Sequence, residues 1–514
     1  MSEKKSGHNT GKSRDRSGKT GNHHQEQKGS NQQKTMDRTG SRPEAKTGSR
    51  PEVKTGSRPE AKTGSRPEVK TGNRPEVKTG SRPEAKTGNR PEGKDGNRTD
   101  SRAGNDMENR VEKAAGDRKR RRFKWKIALG IVLPAMIISY LVIVYSNIPF
   151  IAKWRTIYIE TAMTTNSHQW LATLFFPDSV IDEVMARRKQ SFKEQAKVES
   201  KWEPEEEEEP EDTAERDAFF ASYPELDSIS VRTYLEKHSE LVADGYDKLK
   251  LKNMENDLGL FSPQGESVLV IDIPNHLLIL GVRGDTYQGK LAIVKDPSQI
   301  VLGKSKALGS FGQEIDSFCR DYDAVLGINA SGFVDVDGVG TGGEVNGCLV
   351  VDGVNYGRHY TDWDWKFFGF KNNNRMYISN YTYGMESEYR WGMEFFPALI
   401  VDGVNLVDGT YGMGIQPRSA FGQRRNGDVL MLVVDGRQVG YSLGCTVNEM
   451  SDILLRYQAY QAMNLDGGSS SVMYYDGEYI TRSSSVTGRG RYMPDAFLVK
   501  RVDGTSTGTE SSEE

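Results

Sequence analysis

Short apolar runs separated by turn signals characterise the chain from Ser267 onward. Eight runs have the length and β-branched content of strands: 267–273, 276–282, 291–294, 348–351, 398–401, 429–434, 472–475 and 496–499. Asp-Gly pairs follow several of them, at Asp352, Asp402, Asp435 and Asp476. Because Asp-Gly after a β run is typical of a tight hairpin turn, the pattern predicts a mainly antiparallel sheet.

Two segments have helical rather than strand periodicity. Residues 313–322 are one candidate, and residues 446–460 are the clearer one, with an apolar side chain at every third or fourth position. Thr446 and Glu449 form a T-x-x-E capping box at the start of the second segment. The predicted fold class is therefore α+β, with a few helices packed on a mainly antiparallel β-sheet over residues 220–502.

An uncharged apolar run precedes this domain. Residues 127–145 would span ~28 Å as a helix, close to the hydrocarbon thickness of a bilayer. Seven Lys or Arg residues lie in 118–126, against Lys153 and Arg155 on the other side. The apolar run predicts a single-pass transmembrane helix over 127–147 in the cell membrane. The excess of basic residues on its N-terminal side predicts a cytoplasmic N-terminus and an extracellular C-terminal domain. A signal peptide is the rival interpretation, which the late position and the missing small-x-small cleavage site disfavour.

The stretch before the apolar run is a basic tail over residues 1–118. Residues 39–94 repeat an octapeptide seven times, as TGSRPEAK or a close variant. Such a unit buries too little surface to offset the entropy of ordering it, so we expect a disordered tail. It acts either as a solvated spacer, which we favour, or as a segment that lies on anionic lipid or nucleic acid. Its cytoplasmic partners are unknown, and 503–514 is predicted to be a second disordered tail.

Two further segments join the membrane helix to the domain. Residues 154–200 have the apolar and basic patches of an amphipathic, helical juxtamembrane segment. Residues 201–216 include EPEEEEEPED, a self-repelling acidic linker. The formal net charge of -3 averages this linker with the basic tail and therefore does not identify partners.

The chain has three cysteines and no C-x-x-C pair, which disfavours both a disulfide-rich scaffold and a zinc site of the usual spacing. A disulfide between Cys319 and Cys348 is one alternative. Three buried thiols, with Cys445 as the third, are the favoured one.

The stretch 462–477 carries the strongest chemical signal. Asp466 follows an apolar strand and stands on a turn opened by Gly467 and Gly468, with Ser470 close behind. Two glycines permit positive φ, so backbone N–H groups can converge into an anion-binding nest beside a fixed acid. The alternative is an ordinary Gly-rich hairpin.

A second polar loop spans residues 327–350. Asn329 ends an apolar strand there, and Asp335, Asp337 and Glu344 follow in a Gly-rich stretch. The loop either lines a cleft or chelates Ca²⁺, although it lacks the spacing of an EF-hand loop. No cofactor is required by these residues, and the metal need stays open.

Several motifs occur in order between residues 320 and 500. They are Asn329 to Phe333, Glu344 with Gly347, Arg418 to Gly422, Asp435-Gly436, Glu449, Asn464 to Ser470 and Arg491. In this order they resemble the boxes of the phosphodiester glycosidase family. The sequence departs from the family pattern at Ala330 and Ser331, where glycines are expected, at Ser419 in place of Thr, and at PDAF in the last strand.

The resemblance implies a hydrolase that cleaves sugar-1-phosphodiester bonds. It implies the following roles: Asp466 and Glu344 as catalytic carboxylates, Arg418 and Arg491 as phosphate clamps, Gly467, Gly468 and Ser470 as hydrogen-bond donors, and Asn329 as a residue that orients the sugar. Glu449 either contacts substrate or only caps its helix. A general-base role for His276 or His359 is disfavoured.

The predicted function is the hydrolysis of a glycosyl phosphate in a surface glycopolymer or exopolysaccharide outside the membrane. The alternative is a non-catalytic module that binds glycan or assists polysaccharide assembly. Nucleic acid is not expected as a partner, because the basic tail and the domain lie on opposite sides of the membrane. The sugar, the linkage, the oligomeric state and the retaining or inverting outcome are not specified by the sequence.

Overall fold

The structure is a computed structural model, and it describes residues 130–165, 168–202, 215–335, 340–361, 364–407 and 413–502. The predicted octapeptide tail, the basic stretch 118–126, most of the acidic linker, Asp337 and residues 503–514 lie outside these ranges.

Eight α-helices lie within the described ranges. They are α1 (Gly130–Tyr145), α2 (Pro149–Met163), α3 (Trp170–Phe175), α4 (Asp178–Gln195), α5 (Glu215–Ser222), α6 (Ser228–Lys237), α7 (Ile315–Tyr322) and α8 (Val447–Arg456).

Nineteen β-strands lie within the same ranges. They are β1 (Lys250–Lys252), β2 (Ser267–Asp272), β3 (Leu277–Arg283), β4 (Gln288–Val294), β5 (Ile300–Lys304), β6 (Ala324–Asn329), β7 (Leu349–Val351), β8 (Val354–Asn355), β9 (Lys366–Lys371), β10 (Met376–Ser379), β11 (Tyr389–Phe395), β12 (Ala398–Val401), β13 (Val404–Asn405), β14 (Arg418–Arg424), β15 (Val429–Val434), β16 (Ala459–Asn464), β17 (Met473–Tyr475), β18 (Glu478–Tyr479) and β19 (Asp495–Lys500).

The strands form three antiparallel sheets. The first has nine strands in the order β1-β2-β3-β4-β15-β14-β16-β12-β13. The second has five, β10-β9-β11-β7-β8, and the third has five, β18-β17-β6-β19-β5. The strand pairs in these sheets are antiparallel, so the predicted α+β class with a mainly antiparallel sheet is confirmed.

The three sheets meet in one aromatic core. Phe421 on β14, Trp391 on β11 and Phe497 on β19 come from different sheets. The rings of Phe421 and Phe497 stack with centroids 4.4 Å apart, and the Trp391 ring lies 5.1 Å from that of Phe497. Such packed aromatic pairs contribute about 0.5–1.5 kcal/mol each beyond the area that they bury.

The nine-stranded sheet is buried on both faces, which explains its uninterrupted apolar strands. On β15, Val429, Met431 and Val433 face the aromatic core. Leu430 and Leu432 face the opposite side, where α5, α6 and α8 cover the sheet. Successive side chains of a strand point to opposite faces, so a strand covered on both sides has apolar residues throughout.

Three of the four predicted Asp-Gly turns are hairpins. Asp352, Asp402 and Asp476 each have φ between 45° and 51°, and each is followed by a glycine of positive φ, as a type I′ turn requires. They connect β7 to β8, β12 to β13 and β17 to β18. Asp435 is different, because β15 pairs with β4 and β14 instead of with a strand that follows directly.

Helix α8 is shorter than predicted. The capping box is confirmed, since the Thr446 side chain accepts from the Glu449 N–H and the Glu449 side chain accepts from the Thr446 N–H. The helix ends at Arg456, and β16 begins at Ala459. The prediction to residue 460 was wrong because Gln458 takes a left-handed φ of 60°, which turns the chain into a strand.

The helices α2 to α4 pack on one another around Ile159, Ala172 and Val184. Among the described residues no single helix combines the length and hydropathy of a membrane span; α1 and α2 meet the test together, at an angle of 77°. Many large apolar side chains of α1 are exposed, among them Ile131 and Met136.

The chain after α4 lies along the second sheet. The Ser200 N–H donates to the Ile378 carbonyl of β10 at 2.9 Å, and the Trp202 indole N–H donates to the Met376 carbonyl at 3.0 Å. The Trp202 ring also packs against Tyr460. Residues 198–202 thus bind the domain, although the sequence placed them in the juxtamembrane segment and the linker.

Candidate active site

The turn that carries Asp466 is held between the ends of strands β6 and β14. The Leu465 N–H donates to the Ser419 carbonyl of β14 at 2.9 Å. The Asp466 N–H donates at 3.1 Å to the carbonyl of Ala330, the residue that follows β6. The boxes Asn329 to Phe333, Arg418 to Gly422 and Asn464 to Ser470 therefore meet at this turn.

Asn329 is engaged in holding the turn. Its Nδ2 donates to the Asp466 carbonyl at 2.7 Å. Its Oδ1 accepts from the Ser419 hydroxyl at 2.6 Å and from the Val472 N–H at 3.2 Å. The residue is only 1% exposed. Its place in this structure is behind the turn, where it fixes the backbone of Asp466.

Asp466 itself is half-buried at the start of the turn. Its carboxylate accepts hydrogen bonds from the Ser470 side chain and the Gly467 N–H. Burial raises the pKa of Asp466 to about 6, although these bonds and the charge of Arg491 lower it. A carboxylate with a pKa near 6 is ionised at neutral pH and still has useful proton affinity, which suits acid–base chemistry.

The N–H groups of the Gly-Gly turn are used within the protein. The Gly468 N–H donates to the Pro417 carbonyl at 2.9 Å, and Gly467 donates to the Asp466 carboxylate. A Cβ at Gly467 would lie 2.8 Å from the Pro417 oxygen, and one at Gly468, where φ is +64°, would lie 3.1 Å from Arg437 Nη2. The glycines therefore permit close approach of Pro417 and Arg437.

Arg437 is a site residue that the sequence reasoning missed. Its guanidinium lies against Gly468, and its Nη2 donates to Gln416 Oε1 at 3.4 Å. Burial lowers the pKa of Arg437, and the charge of Asp466 opposes that effect. The signal in the sequence was the arginine after Asp435-Gly436, but we interpreted that dipeptide only as a turn.

Arg491 interacts electrostatically with Asp466, but its guanidinium has another partner in this structure. Its Nη1 and Nη2 donate to the two oxygens of Asp335, each at 3.0 Å. The guanidinium lies 5.2 Å from the centre of the Phe333 ring. The hydrogen bonds from Arg491 are the main cause that lowers the pKa of Asp335. The negative charge of Asp335 in turn raises the pKa of Asp466.

Asp495 is a second site residue that the sequence reasoning missed. It begins β19 and is fully buried. The Ser331 N–H and hydroxyl donate to its two oxygens at 2.9 Å and 2.5 Å. Burial raises the pKa of Asp495 to about 7, the Ser331 donors lower it, and the nearby Asp466 charge raises it. Asp466 and Asp495 are thus two carboxyl groups with raised pKa values that interact electrostatically.

Arg418 was expected to act as a phosphate clamp, but in this structure it is buried and donates to backbone carbonyls. Its Nε donates to the Cys445 carbonyl at 2.9 Å, and its Nη2 donates to the Gly414 carbonyl at 2.6 Å. The residue is 2% exposed, and burial lowers its pKa to about 10. In this structure Arg418 ties two loops together.

The two predicted glutamates are not among the groups that contact the Asp466 carboxylate. The side chain of Glu344 is exposed, and its carbonyl accepts from the Val334 N–H. Glu449 Oε2 accepts from the Thr446 N–H and hydroxyl, each at 2.8 Å. The carboxyl groups that interact electrostatically with Asp466 are Asp335 and Asp495.

The histidines lie in other pairs. His276 Nδ1 contacts Gln299 Oε1 at 3.1 Å, and His359 Nδ1 contacts Glu394 Oε1 at 2.7 Å. The loop considered for Ca²⁺ contains Asp335, which Arg491 binds. Cys319, Cys348 and Cys445 are free buried thiols.

Residues 322–500 match the model of the phosphodiester glycosidase family, which confirms the resemblance. Over 87 residues the chain is 36% identical to the SPbeta prophage-derived uncharacterized protein YomE of Bacillus subtilis, a match that spans 17% of this chain and only 13% of that protein.

Similar solved structures include the following two. The first is the zebrafish N-acetylglucosamine-1-phosphodiester alpha-N-acetylglucosaminidase catalytic domain, auto-inhibited by its pro-peptide, with 17% identity, a TM-score of 0.36 and coverage of 44% of this chain and 82% of that one. The second is a hypothetical protein from Synechocystis, with 15% identity, a TM-score of 0.33 and coverage of 45% and 63%.

Proposed function

We propose that the domain whose residues 322–500 match the phosphodiester glycosidase family hydrolyses a sugar-1-phosphodiester bond in a surface glycopolymer or exopolysaccharide. The observation that carries the proposal is that two guanidinium groups interact electrostatically with Asp466: that of Arg437, which lies against Gly468, and that of Arg491. A carboxylate next to two fixed cations suits a substrate that is anionic beside the bond to be broken.

The reaction breaks the bond between the anomeric carbon and the phosphate oxygen. A water oxygen ends on the anomeric carbon, and the phosphate leaves as a monoester. Asp466 either takes the proton of the attacking water or attacks the anomeric carbon itself, as carboxylates do in inverting and retaining glycosidases. Arg437 and Arg491 stabilise the charge on the departing phosphate.

Asp495 interacts electrostatically with Asp466. Its carboxyl has a pKa of about 7 and is therefore partly protonated at neutral pH. A neutral Asp495 adds no negative charge beside Asp466, so Asp466 can ionise while the neighbouring carboxyl holds a proton. This division of protonation states between two carboxyl groups is a common way to assign acid and base roles.

We propose that the reaction takes place outside the cell membrane. We place the domain outside the cell membrane, with α1 and the preceding apolar residues as its single-pass anchor. The exposed apolar side chains of α1 and the basic residues of 118–126 support this placement. Protease protection of intact cells and of inside-out vesicles distinguishes this orientation from its reverse.

The test of the activity uses the purified full chain in detergent with a panel of sugar-1-phosphodiesters, and mass spectrometry detects the free sugar. We expect turnover with at least one sugar and a loss of at least ~10³-fold in kcat for Asp466→Asn. Asp352→Asn is the matched control, because it makes the same change at an exposed left-handed turn position in the β7–β8 hairpin. If the Asp466→Asn variant retained turnover, Asp466 would not be a catalytic carboxylate.

One observation favours a second candidate, a glycan-binding module without turnover. Asp335 occupies the guanidinium of Arg491 with two hydrogen bonds. A site closed in this way can hold a neutral part of a glycan while it lacks a free clamp for the phosphate. Binding of phosphodiester glycans in calorimetry, without product after long incubation, would support this candidate.

A further inference from the structure

Three metal-binding side-chain types converge in the second sheet, away from the Asp466 turn. Cys348 directly precedes β7, His359 follows β8, and Glu394 is on β11. One ligand atom of each lies within 4.8 Å of those of the other two. Cys348 and Glu394 are buried, while the His359 side chain is 30% exposed. The three residues are far from the spacing of a zinc motif, so only the fold reveals the group.

Glu394 is fixed between the other two residues. Its Oε2 accepts from the Cys348 N–H at 2.9 Å, and its Oε1 lies 2.7 Å from His359 Nδ1. The backbone N–H of Glu394 also donates to the Cys348 carbonyl. The carboxylate is therefore oriented by one oxygen, and its other oxygen is directed to the imidazole.

A second set of contacts orients the thiol and the imidazole. Asn355 Oδ1 accepts from the N–H groups of Leu349 and Gly357 at 3.1 Å and 2.9 Å. These two bonds leave the Asn355 Nδ2 to donate to Cys348 Sγ at 3.3 Å. The His359 ring packs on the Tyr381 ring with centroids 5.0 Å apart. Outer contacts of this kind hold the ligands of metal sites in place and tune their basicity.

We infer that Cys348, His359 and Glu394 form a binding site for Zn²⁺. A thiolate, an imidazole and a carboxylate are the ligand types that zinc takes, whereas Ca²⁺ takes six to eight oxygens. Bonds of about 2.3 Å to sulfur and about 2.0 Å to nitrogen and oxygen place tetrahedral ligands roughly 3.3–3.8 Å apart. The ligand atoms now lie within 4.8 Å of one another, so shifts on the order of 1 Å bring them to these distances. A bound ion would replace the His359–Glu394 hydrogen bond, and a water molecule would supply the fourth ligand.

The zinc site is separate from the proposed hydrolytic site. The neighbour of Glu394 on β11 is Met393, whose sulfur accepts from the Ser331 hydroxyl at 3.6 Å on the side of Asp495. Neighbouring side chains on a strand face opposite sides of the sheet. Glu394 and its partners therefore lie on the outer face, and the inference does not depend on the proposed hydrolysis. The ion would tie β7 and β11 to the loop that holds His359.

The test measures zinc on the full chain, purified in detergent without a histidine tag and stripped with a chelator. We expect one Zn²⁺ to bind with a Kd on the order of 1 µM or tighter, with release of at least one proton, because the Cys348 thiol must ionise. Co²⁺ in place of Zn²⁺ gives a thiolate-to-cobalt charge-transfer band in the near ultraviolet. Calorimetry in two buffers of different ionisation enthalpy counts the protons.

Variants separate this site from the other histidines of the chain. Cys348→Ala and His359→Ala are expected to lose the tightly bound Zn²⁺. Cys348→Asp is expected to keep the Zn²⁺ but to lose the charge-transfer band with Co²⁺. Cys319→Ala is the matched control, because it removes a buried thiol from another core cluster. The inference is overturned if the unsubstituted chain binds no zinc at a free Zn²⁺ concentration 10-fold above the expected Kd of about 1 µM. It is also overturned if the Co²⁺-loaded chain lacks the charge-transfer band. Equal binding by parent and Cys348→Ala would mean that zinc lies elsewhere.

Discussion

The Ser331 hydroxyl donates a 2.5 Å hydrogen bond to the buried carboxylate of Asp495. Both residues occur where the sequence departs from the family pattern, at a box that usually has glycine and at the start of the last strand. The structure shows that the two departures contact each other. Ser331 supplies two donors, its N–H and its hydroxyl, to a carboxyl group that has no exposed surface.

The first prediction concerns the hydroxyl of Ser331. Ser331→Ala removes a donor that stabilises the ionised form of Asp495, so the pKa of Asp495 is expected to rise above about 7. At pH 8 the variant should lose about 1–3 kcal/mol of unfolding free energy, and less at pH 5, where Asp495 is protonated in the folded state. Urea denaturation of a fragment spanning 197–502 at both pH values measures this.

A control for this variant is Ser451→Ala. Ser451 is also fully buried, but its hydroxyl donates to the neutral amide oxygen of Asn405 at 2.9 Å. The unfolding free energy that Ser451→Ala loses should therefore be the same at pH 5 and at pH 8. If Ser331→Ala showed the same pH-independent loss, the bond to Asp495 would not be charge-assisted.

The second prediction is that stability falls as the pH rises from about 4 to about 7. Burial raises the folded-state pKa of Asp435 and Asp466 to about 6 and that of Asp495 to about 7. The unfolded pKa of Asp is about 3.9, so in this window the folded state binds more protons than the unfolded state. Each group can then change the unfolding constant by up to about 10-fold per pH unit.

Asp495→Asn tests this slope directly. The variant keeps an acceptor for Ser331 but cannot ionise, so the decline of the unfolding free energy between pH 4 and pH 7 should become shallower. Asp321→Asn serves as the comparison, because the hydrogen bond from Lys306 lowers the pKa of Asp321 and that group acts below pH 4. An unchanged slope in Asp495→Asn would show that Asp495 is ionised at low pH in the folded protein.

The third prediction concerns Arg418. Arg418→Met removes the donors to the carbonyls of Cys445 and Gly414 and leaves both buried, at a cost on the order of 3 kcal/mol. Arg489→Met, at an exposed arginine whose ion pair measures 3.6 Å, should change stability by less than about 0.5 kcal/mol. Chemical denaturation measures both. If Arg418→Met were as stable as the unsubstituted protein but had a raised KM, the result would support a phosphate-binding role for Arg418 instead of a structural one.

Eight of the strands and three of the hairpins were predictable from the sequence because local signals specify them, whereas β9, β10 and β11 of the second sheet were not predicted. The run of β15 is apolar throughout since both faces of its sheet are covered. Asp352 and Asp402 take left-handed φ values that glycine then continues. These features need no knowledge of distant contacts, and so the periodicity and the turn residues were sufficient.

The partners of the charged side chains were not predictable in the same way. Arg418 and Arg437 are 19 positions apart near the same turn, yet the first binds carbonyls in the interior and the second lies against Gly468. Asp435 resembled the other Asp-Gly turns, but its carboxylate accepts from the Arg482 N–H and the Tyr441 hydroxyl. Such pairs depend on which strands adjoin, and the sequence contains no local signal for that.

The last prediction concerns the pairing of Arg491 with Asp335. Asp335→Asn keeps the shape of the side chain but removes the charge that holds the guanidinium, so Arg491 becomes available to a phosphate and KM for a phosphodiester should fall several-fold. The pKa of Asp466 should also fall below about 6, because the Asp335 charge raises it, and the acidic limb of the pH–rate profile should move to lower pH. Steady-state kinetics from pH 4 to pH 8 measure both effects, with Asp321→Asn as the control. A higher KM and an unmoved limb would mean that Asp335 orients Arg491 for the substrate instead of blocking it.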